Sequence, residues 1–175
     1  KGNYVDDLKL PGMLFGDFVR SQYGHARIKS IDTSRAKALP GVRAVLTAED
    51  LKPLNLHYMP TLAGDVQAVL ADGKVLFQNQ EIAFVVADDR YVAADAVELI
   101  EVDYEELPAL NDPEAALADG ATVLREDLEG KTTGVHGARR HHNHIFTWEV
   151  GDKDATERAF AEAEVSIKEK VVYQR

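Results

Sequence analysis

VLFQNQEIAFVVADDRYVAADAVELIEVDYEEL, residues 75–107, sets the reading of everything around it. Residues 82–87 are a short apolar run rich in branched and aromatic side chains, and its length predicts a strand buried on both faces rather than a helix. Asp88 and Asp89 follow, where a carboxylate can accept from the free N–H groups of a starting helix. Over residues 90–100 the period changes: Val92, Ala93, Ala96, Val97 and Ile100 fall on one helical stripe, with Asp95 and Glu98 off it. Val102 and Tyr104 then alternate with Glu101, Asp103 and Glu105, as in a strand with one wet face, closed by Leu107-Pro108. Strand, helix and strand with tight connections predict a right-handed crossover unit. Nothing in this unit resembles a catalytic group.

Towards the N-terminus, residues 1–14 mix Gly, Asp and Pro and read as an entry loop, whose Asp6-Asp7 pair is better read as solvated than as a metal site. Residues 13–19 and 26–32 alternate as strands, with a hairpin turn expected at 21–25 around Gly24. His25 has no carboxylate partner nearby in sequence, so it reads as a turn histidine rather than an acid–base group. Thr33 or Asp32 can cap a short helix at 34–39, stopped by Pro40-Gly41, and a strand follows at 42–46. Thr47 and Asp50 have the outline of a capping box. Residues 51–73 contain Pro53, Pro60, Gly64 and Gly73 and lack periodicity; a connection this long predicts a loop held against a partner. His57 and Tyr58 within it are a lead for a ligand site, though a solvated or interface loop is the preferred reading.

Beyond Pro108 the composition shifts. Residues 109–143 read as an extended linker with one short helical stretch at 113–118, capped by Asp112 with Pro113 at its first position. Within it, Arg139-Arg140-His141-His142-Asn143-His144 is the densest cluster in the chain. His142 and His144 would share a face of a strand, a spacing compatible with metal ligation, but the flanking arginines oppose a bound cation; an interface or phosphate-contacting patch is preferred. A strand is expected at 145–150, a helix at 155–163 and a strand at 165–172, with Val171, Val172 and Tyr173 forming an edge that needs covering.

Thirty acidic and twenty basic residues give a formal charge of −10, which opposes sequence-independent binding to nucleic acid or to anionic membranes. The absence of cysteine excludes disulfides, cysteine-ligated zinc and iron–sulfur clusters within the 175 residues and fits a cytoplasmic protein. No apolar run approaches membrane-spanning length. The serines Ser21, Ser30, Ser34 and Ser166 lack a paired base in the local sequence, and Asp103, Glu105 and Glu106 read as a solvated strand face. The first residue is Lys1 rather than Met, and a fragment or processed product is expected.

Gln80, Ala83, Val85 and Ala87 (Q-x-x-A-x-V-x-A), then Ala93-Ala94, then Val102, Tyr104, Leu107 and Pro108 (V-x-Y-x-x-L-P), together resemble the xanthine dehydrogenase family, the large subunits of molybdenum hydroxylases. Phe18 through Ile28 is similar to a family segment F-V-R-S-x-x-x-H-A-x-I, and residues 51–80 resemble most the branch of aerobic, molybdenum-containing carbon monoxide dehydrogenases. Asn79 departs from the wider family, where Gly-Gln is usual, but Asn tolerates left-handed backbone. The resemblance implies an α/β (α+β) fold: an α/β-hammerhead domain of mixed strands and short crossover helices over residues 1–110, a linker over 111–143, and the beginning of the molybdopterin-binding domain over 144–175. It implies oxidation of CO with water to CO2, using molybdopterin cytosine dinucleotide with molybdenum and copper. The [2Fe-2S] clusters and FAD would sit on small and medium partner subunits, in a dimer of heterotrimers. None of the family's catalytic, cofactor-binding or metal positions has a counterpart within residues 1–175, so the role expected of this piece is packing and subunit contact. An aldehyde or N-heterocycle dehydrogenase of the same family, and a stand-alone interaction domain, are the alternatives.

Overall fold

The computed structural model describes residues 2, 4–60, 67–128, 142–145 and 149–173. Among these, strands β1 (Phe15–Arg20), β2 (Ala26–Asp32), β3 (Val42–Thr47), β4 (Lys74–Val75), β5 (Glu81–Ala87) and β6 (Glu101–Glu106) form two three-stranded sheets, ordered β1-β5-β3 and β4-β2-β6. Every pairing is antiparallel. The apolar run that opened the reading is β5, the central strand of its sheet: Val85 sits between Asp17 of β1 and Val45 of β3, and Ile82, Ala83, Val85 and Ala87 are fully buried. Ladders on both edges satisfy its backbone, and apolar side chains fill both faces.

Among the described residues the α-helices are α1 (Ser34–Ala38), α2 (Ala48–Leu51), α3 (Arg90–Glu98) and α4 (Lys153–Glu162). Helix α3 begins where the two aspartates predicted. Asp89 Oδ1 accepts from the N–H groups of Tyr91 (2.8 Å) and Val92 (2.9 Å), while Asp88 makes a two-point pair with the Arg43 guanidinium. Asp89→Ala leaves those two N–H groups without their acceptor and is expected to cost about 0.5–2 kcal/mol in urea unfolding. The buried face of α3 carries Ala93 and Ala96, with Asp95 and Glu98 exposed. Residues of both sheets and α3 share one core, which joins Val19, Val45 and Val85 to Ala26 and Val75 and to Ala93, Ala96 and Ile100. A smaller cluster of Ala48, Leu51 and Leu70 packs with Phe18, Leu46 and Phe84. Thr47 and Asp50 form the expected capping contact: the Asp50 carboxylate accepts from Thr47 N (2.7 Å) and Oγ1 (2.9 Å). Asn79 takes the left-handed conformation (φ 67°).

Several expectations are corrected. The crossover unit does not form, because β5 and β6 lie in different sheets. The alternation in β6 marks an edge strand with one wet face, whereas β5 is apolar on both; a parallel pair would need both strands buried. Strands β1 and β2 are not a hairpin either. Ser21 N donates to Gln80 O (2.9 Å) and Asn79 N to Ser21 O (2.8 Å), so the end of β1 stays with β5 while residues 22–25 carry the chain to the other sheet. The helical stretch after Asp112 is a single 3-10 turn, Ala115–Leu117. Residues 165–172 carry no strand: they belong to no regular element and are exposed, and no described strand pairs with them to supply a ladder. Of the strand expected at 145–150, residues 146–148 lie outside the described residues and Ile145, Glu149 and Val150 belong to no regular element. Helix α4 forms as expected, with none of its residues buried.

Candidate functional site

Among the described residues the buried polar ones, Ser21, His25 and Gln80, all come from the stretches between strands where the chain changes sheet or enters β5. Burying them costs free energy unless their polar atoms are met, and most are. Ser21 Oγ donates to Tyr23 O (2.9 Å) and accepts from Tyr23 N (3.0 Å), so it closes a local turn rather than meeting a base. Its hydroxyl also lies by Tyr104, whose phenol is pushed above its ordinary value by burial, an effect that Ser21 partly opposes. Gln80 Oε1 accepts from Leu76 N (2.7 Å). That N–H can only be met by the carboxamide oxygen, which fixes the amide's orientation and leaves Nε2 as an uncommitted donor.

His25 is a buried clasp, 2% exposed, rather than a residue of an open turn. Its backbone oxygen accepts from Leu107 N (3.0 Å) and its Nδ1 lies 2.7 Å from Pro108 O. A carbonyl only accepts, so Nδ1 carries a proton, and the ring's second nitrogen is Nε2. That nitrogen is buried without a partner among the described residues. No nucleophile is hydrogen-bonded to it, so the arrangement lacks the paired nucleophile and base of covalent catalysis.

Beside this junction lies an open cavity of about 340 Å³ whose walls include Arg27, Lys74, Phe77, Gln80, Arg125 and Glu126. The Lys74 and Arg125 side chains are each 13% exposed, while their partners Glu126 and Asp127 stand nearer the mouth at 62% and 48%. Burial alone would raise the Glu126 carboxyl, but the Lys74 hydrogen bond, its own backbone N–H and the nearby Lys74 and His25 outweigh that and hold it below its ordinary 4.5. A carboxyl depressed on folding contributes stability above its unfolded value and loses that contribution as pH falls through the lower folded value. Glu126→Gln should therefore lower the urea midpoint at pH 7, with parent and variant converging as the pH falls well below 4.5.

The other residues singled out in the sequence are dispersed. Asp7 Oδ2 caps Tyr4 N (3.0 Å). Asp103, Glu105 and Glu106 lie exposed on β6, the first two opposite Lys29 (4.0 Å) and Arg27 (3.5 Å), surface pairs worth at most about 1 kcal/mol each. Ser30 is exposed on β2 opposite Asp103, Ser34 N is capped by Asp32 Oδ1 (2.9 Å), and Ser166 lies in the exposed stretch after α4. The His57 ring lies 4.5 Å from that of Tyr58, tilted by 50°, where residues 57–59 run against 67–69; residues 61–66 lie outside the described residues. Arg139, Arg140 and His141 also lie outside them, and no three His, Asp or Glu side chains converge on a metal-sized space among the described residues. Asn143, inside that cluster, does something else: its Nδ2 donates to Ala116 O and Thr122 O (both 2.9 Å) and its Oδ1 accepts from Leu124 N (2.9 Å), which fastens the 116–124 loop. Sequence spacing gave no signal for that staple, nor for the uncommitted amide of Gln80.

Residues 1–108 match the family described as the a/b hammerhead domain of aldehyde oxidase and xanthine dehydrogenase. All 175 residues align at 75% identity with the carbon monoxide dehydrogenase large chain of Afipia carboxidovorans, of which the chain spans 22%. Among solved structures, reconstituted CO dehydrogenase from Oligotropha carboxidovorans superposes with a TM-score of 0.82 at 77% identity, over 94% of this chain and 20% of that one. Quinoline 2-oxidoreductase from Pseudomonas putida 86 gives 0.63 at 41% identity, over 70% and 16%. The buried Ser21, His25 and Gln80 and the two antiparallel sheets they join all fall within the matched 108 residues, and the chain belongs to the aldehyde oxidase and xanthine dehydrogenase a/b hammerhead family.

Proposed function

We propose that this chain is the N-terminal structural part of a molybdenum hydroxylase large subunit of the carbon monoxide dehydrogenase type. The observation that carries the reading is the 75% identity that runs the full 175 residues, past the matched domain and through the linker and α4. The complete enzyme would oxidise CO with water to CO2, releasing protons and electrons. Its cofactors would be molybdopterin cytosine dinucleotide with molybdenum and copper in the large subunit, and [2Fe-2S] clusters and FAD on small and medium subunits, in a cytoplasmic dimer of heterotrimers.

The residues present do not fit those groups. There is no cysteine to hold copper, and no convergent donor set among the described residues. On this proposal the catalytic, cofactor-binding and metal residues belong to polypeptide outside residues 1–175, and no chemical step is assigned to any side chain here. Residues 1–110 act as the hammerhead domain, 111–143 as a linker and 144–175 as the start of the cofactor-binding domain. No helix among the described residues is long and apolar enough to cross a membrane.

The relatedness to quinoline 2-oxidoreductase supports the second reading, an N-heterocycle hydroxylase, at the lower identity of 41%. The test is to purify the 175-residue chain alone and the complex assembled from the full gene and its neighbours. CO-dependent dye reduction is expected from the complex and none from the isolated chain. A complex that reduces dye with quinoline or an aldehyde but not with CO would overturn the assignment.

A further inference from the structure

We propose that residues 109–126, which read in the sequence as extended linker, form a brace that fixes Asn143 against the β4-β2-β6 sheet. The ion pair of Glu126 with Lys74 and the side chain of Asn143 hold the brace as one cooperative unit.

Both ends of the brace sit at the same end of that sheet. Ala26, the first residue of β2, lies opposite Glu106 of β6 on one side and Val75 of β4 on the other. The chain leaves β6 there, held by Leu107 N on His25 O and by His25 Nδ1 on Pro108 O, and Ala109 then passes beside Gly24. It returns at β4, where the ammonium of Lys74, the residue before Val75, donates to the Glu126 carboxylate. The stretch thus runs from the β6 edge to the β4 edge past the start of β2.

Between those anchors the backbone closes on itself. Asp112 accepts from Glu114 N through its side chain (2.8 Å) and from Ala116 N through its carbonyl (2.9 Å). Ala118 O accepts from Ala121 N (3.1 Å) across a turn in which Gly120 takes φ 79°. Asn143 then spans the loop, with Nδ2 donating to Ala116 O and Thr122 O and Oδ1 accepting from Leu124 N. Each carbonyl can be met only by the amide nitrogen, and the N–H only by the amide oxygen, so the three bonds hold one orientation. A flexible tether would be solvated along its length, yet residues 121–125 are all half-buried.

Leu124, which Asn143 grips, is two residues from Glu126. Breaking the bond at Lys74 therefore loosens the backbone that Asn143 holds, and losing that grip frees the stretch that presents Glu126. Sites joined in this way are coupled in both directions. Polypeptide running on from Asn143 thus starts from a point fixed on the hammerhead domain, whatever substrate the complete enzyme oxidises.

The test is hydrogen–deuterium exchange, read by mass spectrometry, on the complex assembled from the full gene and its neighbours. Glu126→Gln is expected to speed exchange about tenfold across residues 116–124, beyond the ion pair itself, and Asn143→Ala to do the same. The double variant should exchange no faster there than the faster single one. If Asn143→Ala does not assemble, Lys74→Met removes the ion pair from its other side and should reproduce the Glu126→Gln pattern. Exchange in Glu126→Gln that changes only at residues 125–127, a double variant in which the two increases multiply, or a Lys74→Met protein with 116–124 as protected as in the parent would overturn the proposal.

Discussion

Ile82→Ala is expected to cost about 2–5 kcal/mol. Ile82 is fully buried at the start of the central strand, flanked in sequence by Ala83, which is buried as completely, and by partly buried Glu81. The carbons it loses cannot be replaced by a neighbour sliding in, because ladders with β1 on one side and β3 on the other fix β5. The void therefore persists, and its cost adds to the lost burial. For a domain with the usual 5–15 kcal/mol of stability, this is a large share. Urea unfolding should show a lower midpoint with an unchanged slope. A loss under 1 kcal/mol would mean that β5 is not where the core is densest.

Ala96→Leu should cost about 1–3 kcal/mol for the opposite reason. Ala96 is fully buried on α3, in one core with Ala93, Val85 and Ile100, and a methyl is all that the approach of helix to sheet allows. Three extra carbons must push the helix off the sheet or take a strained rotamer. Asp95→Ala, one residue away and exposed, should stay within about 0.5 kcal/mol of the parent. If Asp95→Ala proved the more damaging of the two, the helix would have to be rotated from the orientation described.

The contrast between these neighbours was legible in the sequence, because a helical stripe and a doubly apolar strand are local patterns. So were the caps at Asp89 and Asp50, where a side chain meets a backbone group two or three residues away. What failed was the pairing of elements. The turn at residues 21–25 has hairpin composition, but whether β2 returns to β1 depends on Gln80 and Asn79 holding Ser21, a contact across nearly sixty residues that no local pattern encodes. The β5–α3–β6 succession likewise has the spacing of a crossover, and only the partner of β6, which is β2, shows otherwise. The junction was half legible. The segment around His25 and the Gln80 motif stood out by resemblance, but their burial is a product of the two sheets meeting. Residues 165–172 show the reverse error: alternation alone makes no strand where nothing lies alongside to pair with it.

The clasp at His25 also decides how the domain would respond to force. Strands β2 and β6 are antiparallel, with Ala26 opposite Glu106, so the entry to one and the exit from the other lie at the same end of the pair. A pull on the chain beyond Pro108, resisted by β1 through residues 21–25, therefore opens the two strands like a zip, loading one rung at a time instead of shearing all of them together. The first rungs are the His25 ring on Pro108 O and the His25 carbonyl on Leu107 N. The histidine thus stands as the pull tab of the sheet, and the load at which the β2–β6 pair parts is set at that one residue.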